Sequence, residues 1–239
     1  MSTFLDETPR RRRVTVIVSV AIAVAAAAVL ITWTLSRSAG DPPRGSAASA
    51  SPAPPSPVQQ VPAGPLQLVK GKRTVEGISV GYPHTMQGAA IAGAEYLTQI
   101  LSTLDPQRGR QIASVIADPS FDGAEDEMAQ GRLNIRRSLG LPTTGPVPSG
   151  ASITFGPAAY QLRDASPDTV TVVILAYLTT NSGGQVTPTL GAYPIELHWD
   201  GTDWKALRPG ASRFADYASL VAQPNTADAA ARGWQVLTP

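Results

Sequence analysis

The chain has 239 residues, a formal net charge of +1 and no cysteine. The lack of cysteine excludes disulfide bonds and thiolate metal sites, and two histidines are too few for a histidine-rich metal centre. The near-neutral charge argues against a nucleic-acid groove, which needs clustered lysine and arginine, so we expect no direct nucleic-acid binding. We also expect no cofactor.

The N-terminal region carries four arginines followed by a long apolar run. The arginines at 10–13 directly precede residues 14–35, which contain no charged side chain. At about 1.5 Å of rise per residue, a helix of this length measures about 33 Å and can cross a hydrocarbon core about 30 Å thick. Residues 1–13 are therefore predicted to form a cytoplasmic tail, residues 14–35 a single transmembrane helix in the cell membrane, and the rest an extracytoplasmic region. The alternative is a cleaved signal peptide, whose apolar region is shorter, about 7–15 residues.

Residues 36–74 are rich in proline, serine and alanine and predict a linker. Such a segment has little apolar surface to bury, so we expect it to remain extended and solvated and to act as a spacer. A folded domain is predicted over residues 75–209, a length that suits one hydrophobic core. Residues 210–239 form a C-terminal tail, and the sequence leaves open whether this tail packs on the domain.

The first half of the predicted domain carries three helical patterns. Thr85 is a suitable N-cap for the first helix, which ends near Asp105. The second helix starts at Pro106, where proline suits the first turn, and runs to about Ala117. The third helix is predicted over residues 123–139, where Gly140 and Pro142 follow.

The second half of the domain predicts antiparallel strands. The strongest pattern, at 169–180, is apolar on both faces and indicates a central strand that is covered twice. Helices can cover one face; the other requires a sheet that closes on itself or a partner subunit. Helices followed by an antiparallel meander predict an α+β fold, with three helices packed on a curved antiparallel sheet. The predicted strands cover residues 152–155, 160–163, 169–180, 193–199 and 203–207, with a tight turn at Asp200 and Gly201.

Two motifs carry a resemblance to known families. Three helices followed by a bent sheet, with a late hairpin at 199–205 (WDGTDWK), resemble the nuclear-transport-factor-2-like (cystatin-like) cone. With a short cytoplasmic tail and one membrane span, the chain resembles the bitopic scaffold subunit of type IV secretion and conjugation machines. The motif at 81–85 (GYPHT), followed by GAA at 88–90, also resembles membrane proteins of actinobacterial mobile elements. The resemblance implies assembly contacts with other membrane subunits, or with a second copy of the chain, rather than catalysis.

Five side chains are candidates for an interaction surface. His84 precedes a helix start, where an imidazole either contacts a ligand or packs and caps the turn. Arg132 and Arg136 share a helix face at i, i+4 spacing, which predicts a solvated stripe, pairs with nearby acids or contact with an anionic wall polymer. Tyr177 lies on the second apolar face of the central strand, and Tyr82 belongs to the motif at 81–85.

No catalytic pattern accompanies these residues. The serines at 149 and 182 lack a nucleophile elbow, and the sequence contains no phosphate loop or dinucleotide fingerprint. We therefore expect a membrane-anchored, non-catalytic assembly or scaffold protein in a conjugative-transfer or type IV secretion-like apparatus. The alternative is a ligand-binding or enzymatic cone displayed at the cell surface, because this fold often holds a pocket between the sheet and its helices.

Overall fold

The structure, a computed structural model, describes residues 64–210 and 217–239. The predicted cytoplasmic tail and transmembrane helix, and the predicted linker up to residue 63, lie outside the described residues. Across the two described ranges, no helix combines the length and the apolar character needed to cross a membrane.

Three helices form the first half of the domain, with bounds close to those predicted. They are α1 (Met86–Leu101), α2 (Pro106–Ile116) and α3 (Ala124–Ser138). The hydroxyl of Thr85 caps α1 by accepting a hydrogen bond from the Gly88 N–H at 3.0 Å. The carboxylate of Asp105 caps α2 by accepting from the Gln107 N–H at 2.9 Å. The predicted starts of α1 and α2 are thus confirmed by their capping side chains.

The strands and two short helices complete the fold. The elements are β1 (Leu66–Gln67), β2 (Arg73–Val75), β3 (Ile78–Val80), β4 (Ser152–Arg163), β5 (Thr169–Ser182), β6 (Gln185–Trp199), β7 (Trp204–Ala206), a 3₁₀ turn (Ala218–Leu220), α4 (Ala227–Ala231) and β8 (Gln235–Thr238). Four strands of the main sheet, β4 to β7, follow one another along the chain and pair antiparallel.

The main sheet has six strands in the order β1-β8-β4-β5-β6-β7, and β2 and β3 form a separate two-stranded ribbon. The predicted α+β class is confirmed, because helices lie against a curled antiparallel sheet that forms a half-barrel. β4 is one strand where two were predicted. A bulge between Pro157 and Ala159 absorbs the proline, which has no N–H to donate to a neighbouring strand.

The central strand β5 is covered on both faces, as its sequence predicts. Val172 and Ile174 face the core beneath the helices, and Val173 and Leu175 face the opposite side. α1 approaches closely at Gly93, where an added Cβ would lie 2.9 Å from the Cβ of Val172. The glycine therefore permits the helix-to-sheet contact.

The cover of the second face differs from the prediction. Ala222, Ala229 and Trp234 pack against Val173 and Leu175, so the C-terminal segment of the same chain buries this face. The sequence offered a sheet that closes on itself or a partner subunit as the cover, and it did not identify the C-terminal segment in this role. Local periodicity shows that a face is buried, but it does not show which distant segment buries it.

The packed part of the chain also begins before residue 75. Leu66 is buried and pairs in parallel with Leu237 of β8. The Leu68 N–H extends this contact by donating to the Thr238 carbonyl oxygen at 2.8 Å. The end of the predicted linker is thus joined to the C-terminus of the chain.

Candidate functional site

The two motifs at 81–85 and 199–205 come together in one place, which we call the junction. The turn between β6 and β7 brings the carboxylate of Asp203 to the backbone that precedes α1. One carboxylate oxygen accepts a hydrogen bond from the Gly81 N–H at 2.7 Å, and the other accepts from the Tyr82 N–H at 3.1 Å. The hairpin and the start of α1 are therefore held together by a side chain that bonds backbone groups more than a hundred residues away.

The interior of the junction is closed to water. Asp203 and Trp204 are both 0 % exposed, and Asp203 also accepts from the Trp204 N–H at 2.9 Å. The Trp204 indole donates to the Pro83 carbonyl oxygen at 3.0 Å, and the Tyr96 hydroxyl donates to the Trp204 carbonyl oxygen at 2.9 Å. Burial raises the pKa of Tyr82 to about 12 and likewise raises the pKa of Tyr96. Both phenols therefore stay protonated near neutral pH.

The outer side of the junction is formed by His84 and Asp168, which are exposed, and by Trp199, which is half-buried; we call these three residues the His84 patch. The His84 ring stacks on Trp199, with ring centroids 4.4 Å apart and planes 6° from parallel. Its Nε2 lies 2.9 Å from the Pro167 carbonyl oxygen and 3.0 Å from a carboxylate oxygen of Asp168. Both neighbours are acceptors, so Nε2 carries a hydrogen and donates. The His84 side chain remains 42 % exposed although its orientation is set on two sides.

With this geometry in place, the family model described as "Domain of unknown function (DUF8175)" matches residues 25–223. The chain belongs to this family. The match contains both motifs of the junction and ends before α4 and β8. No curated protein and no solved structure matches the chain.

The five predicted interaction residues of this DUF8175 member do not share one surface. His84 lies in the exposed patch, and Tyr82 is buried in the junction beneath it. Tyr177 is exposed on the other face of the sheet, where its hydroxyl donates to the Gln223 side-chain oxygen at 2.8 Å. Of the five, only His84 and Tyr177 are placed where a partner can reach them.

The prediction of a solvated stripe at Arg132 and Arg136 is wrong, because the two side chains are only 4 % and 1 % exposed. Arg136 donates from Nε to the Leu104 carbonyl oxygen at 2.8 Å and from Nη1 to the Gly145 carbonyl oxygen at 2.9 Å. It thereby ties two loops to α3. The i, i+4 spacing shows that two side chains share a helix face, but it does not show whether that face meets solvent or a neighbouring helix.

Arg132 is buried without a partner for one of its nitrogens. Within the described part of the chain, no group accepts a hydrogen bond from its Nε. Burial lowers the pKa of Arg132 to about 10. Gly109 of α2 makes room for this side chain, because an added Cβ at Gly109 would lie 3.2 Å from the Arg132 Cγ.

A second ordered histidine lies on β6. His198 Nδ1 is 2.7 Å from the carboxylate of Asp118, which also accepts hydrogen bonds from the N–H and the hydroxyl of Ser120. Burial alone would raise the pKa of Asp118, but the hydrogen bonds from Ser120 and His198 outweigh it and lower that pKa. The partners are 80 positions apart in the sequence, so no local pattern points to them.

The surroundings of His198 and Asp118 indicate a structural role for the pair. The Asp118 N–H donates to the Ala206 carbonyl oxygen at 2.8 Å, and Lys205 Nζ donates to the Val115 carbonyl oxygen at 2.8 Å. All three contacts attach the C-terminal end of α2, or the segment directly after it, to the last hairpin of the sheet. In residues 64–210 and 217–239, no group of three or more His, Cys, Asp or Glu side chains is arranged to hold a metal ion.

Proposed function

We propose that this DUF8175 member is a membrane-anchored, non-catalytic assembly protein whose extracytoplasmic domain binds protein partners in a conjugative-transfer or type IV secretion-like apparatus. The sequence of residues 14–35 supports the membrane anchor. The His84 patch supports partner binding. We also propose that the fold is a nuclear-transport-factor-2-like cone, which the three helices on a curled antiparallel sheet support.

The observation that carries the proposal is the contrast between the two sides of the junction. On the inner side, Asp203 is fully buried and accepts three backbone N–H groups. A fully buried carboxylate cannot contact a substrate, so Asp203 has a structural role. On the outer side, the His84 ring and the Asp168 carboxylate are exposed in a fixed arrangement, and the His84 ring stacks on the half-buried Trp199.

A fixed, partly aromatic patch is well suited to protein binding. Aromatic side chains supply large contact areas, and they are enriched among the residues that dominate binding energy at interfaces. Because the stack on Trp199 and the bonds to Pro167 and Asp168 already restrict His84, little side-chain entropy remains to be lost on binding. We therefore expect His84 to be central to a partner contact.

Crosslinking in cells tests this function. We expect the chain to crosslink to other membrane subunits of a transfer apparatus, and His84→Ala to lose those crosslinks while the domain stays folded. Arg137→Ala is the matched control, because Arg137 is also exposed but lies on α3, outside the patch. Mass spectrometry that finds no transfer or secretion subunit among the crosslinked neighbours would remove the proposed function.

Protease treatment of intact protoplasts tests the topology separately. If the N-terminus of the chain lies in the cytoplasm and the domain lies outside, added protease should digest residues 64–239 and leave an N-terminal fragment that the membrane protects. Complete protection of the domain would reverse the predicted orientation, whatever the crosslinking result.

The alternative function, a ligand-binding or enzymatic domain at the cell surface, rests on one observation. Asp118 holds His198 by Nδ1, as a carboxylate does when it orients a general base. Loss of a ligand-dependent or hydrolytic activity in His198→Gln, with His84→Ala unaffected, would favour this alternative over assembly.

A further inference from the structure

A second exposed surface lies where the predicted linker meets the folded domain. We call residues 69–75 the basic strip, since it contains Lys70, Lys72 and Arg73. All three cationic side chains are exposed, and so are Val69 and Val75, at 52 % and 39 %. Over the described residues, the large exposed hydrophobic side chains are Val69, Val75, Tyr177 and Val186, so the strip holds two of these four.

The basic strip is fixed to the domain and is not a free tail. Its strand β2 is the outer member of the two-stranded ribbon: all three β2 residues are exposed, whereas all three β3 residues are buried. The Gly71 N–H donates to the Ser79 hydroxyl oxygen at 2.6 Å, and the Lys72 N–H donates to the Gly81 carbonyl oxygen at 3.4 Å. The strip therefore presents valine and lysine side chains from a backbone that the core holds in place.

The charge of this surface is net positive. None of the three cations forms an ion pair with a described residue, and Glu76 is the only acid in residues 64–80. Arg108 adds a further cation beside the strip, because its Nη1 donates to the Glu76 carbonyl oxygen at 2.7 Å. Exposed apolar side chains mixed with unpaired cations are typical of surfaces that bind at a membrane interface.

We propose that the basic strip docks the domain on the anionic lipid headgroups of the membrane that carries the chain. This inference rests on the proposed membrane anchor. Each lysine or arginine near an anionic surface is worth about a fivefold gain in partition, so the three cations together supply about a hundredfold. The exposed Val69 and Val75 would enter the headgroup region, where their apolar surface is removed from water.

Because the predicted linker keeps the domain near the membrane, a modest affinity of the basic strip for lipid is enough for docking. Residues 36–63 lie between the predicted span and the domain, and 28 residues in the predicted extended form, at about 3.1 Å each, reach at most about 90 Å. The domain is then held at an effective concentration near the membrane that reaches the millimolar range. Docking would hold the His84 patch at a defined height, because Lys72 bonds the same residue, Gly81, that Asp203 holds in the junction.

The test uses the full chain with an environment-sensitive fluorophore on Thr74→Cys, which is the only thiol because the chain has no cysteine. The labelled chain is mixed with phosphatidylcholine vesicles or with vesicles that also contain phosphatidylglycerol. We expect a blue shift, and quenching by lipid-borne spin labels, only with phosphatidylglycerol and only at low salt. Replacing the three cations of the strip by glutamine should lower this partition about a hundredfold.

The matched control removes the same charge elsewhere, with glutamine at Arg110, Arg137 and Arg232, and should retain the signal. Equal signals in the two triple variants, or no signal with phosphatidylglycerol, would overturn the proposal. A shift that requires an added acidic protein instead of lipid would also overturn it. Anchoring is read separately, by alkali-resistant association with the vesicles. If the chain does not remain with the vesicles in alkali, the fluorophore still reports docking on added vesicles. The anchor and the docking of the basic strip are therefore tested by different measurements.

Discussion

Replacing Asp203 by alanine should cost the domain much of its stability, because of where this carboxylate lies. Asp203 is 0 % exposed and accepts hydrogen bonds from three backbone N–H groups, those of Gly81, Tyr82 and Trp204. Removing the acceptor leaves buried donors unpaired, at a cost of about 1–3 kcal/mol each. Since water reaches the partly exposed Gly81, we expect a total loss of about 3–6 kcal/mol. That is a large part of the 5–15 kcal/mol typical of a folded domain.

Asp200 provides the matched control within the same hairpin. Its carboxylate also accepts three hydrogen bonds, from the Thr202 N–H, the Thr202 hydroxyl and the Asp203 N–H. Asp200 is exposed, so water can replace the lost acceptor. Asp200→Ala should therefore cost about 1 kcal/mol.

Urea unfolding of both variants, followed by tryptophan fluorescence, measures the difference directly. Trp199 and Trp204 lie at the junction and report its loss. The reasoning is refuted if Asp203→Ala loses no more stability than Asp200→Ala. In that case, burial of the carboxylate is not what makes its hydrogen bonds important.

Three further predictions concern the core and the acid stability of the domain. Gly93→Ala should lose about 1–3 kcal/mol by overpacking against β5, whereas Gly131→Ala, with nothing within 4 Å of its added Cβ, should gain about 0.5–1 kcal/mol of helix stability; equal effects in thermal unfolding would contradict this. Arg132→Met should raise the free energy of unfolding by about 1–3 kcal/mol, because it removes a buried charge whose Nε has no partner. Arg136→Met should lower it by about 2–4 kcal/mol, because carbonyl oxygens lose their donor; urea titrations that rank the two variants in the opposite order would refute the argument. The pKa of Asp118 is lowered in the folded protein although burial opposes the shift, so its stabilisation is present above about pH 4 and lost as the pH falls below that value. Asp118→Asn should flatten this acid limb in pH-dependent unfolding, and an unchanged limb would assign acid denaturation to other carboxylates.

The helices could be predicted because their signals are local. The Thr85 and Asp105 side chains cap helices by bonding N–H groups two or three residues away, and Pro106 occupies a first-turn position. The strand at 169–180 was equally visible, because apolar residues on both faces need no partner to be recognised. These elements appear in the structure with bounds close to those predicted.

The elements that the sequence did not predict are short, and they form by pairing with other segments of the chain. β1 consists of two residues, and its ladder partner is β8 at the other end of the chain. β3 is three buried residues with no alternation to mark it. Two or three residues carry too little periodicity for a sequence pattern, and their strand character comes from the partner.

The candidate site shows the same division. Both motifs of the junction stand out in the sequence, yet nothing in either one indicates that Asp203 bonds Gly81 or that His84 stacks on Trp199. The error at Arg132 and Arg136 has a related cause: long side chains with charged ends favour a solvated face, and only the tertiary structure shows that neighbouring segments bury them.

By itself, the sequence excluded disulfide bonds and thiolate metal sites and determined the succession of three helices and an antiparallel meander; the anchor at 14–35 stays a prediction. These follow from residue types and from interactions between near neighbours along the chain. Only the tertiary structure decided that the C-terminal segment covers the second face of β5, that two arginines are buried, and that the two motifs form one junction. Burial and side-chain pairing depend on segments that are far apart in the chain, and their meeting is set by packing of the whole domain.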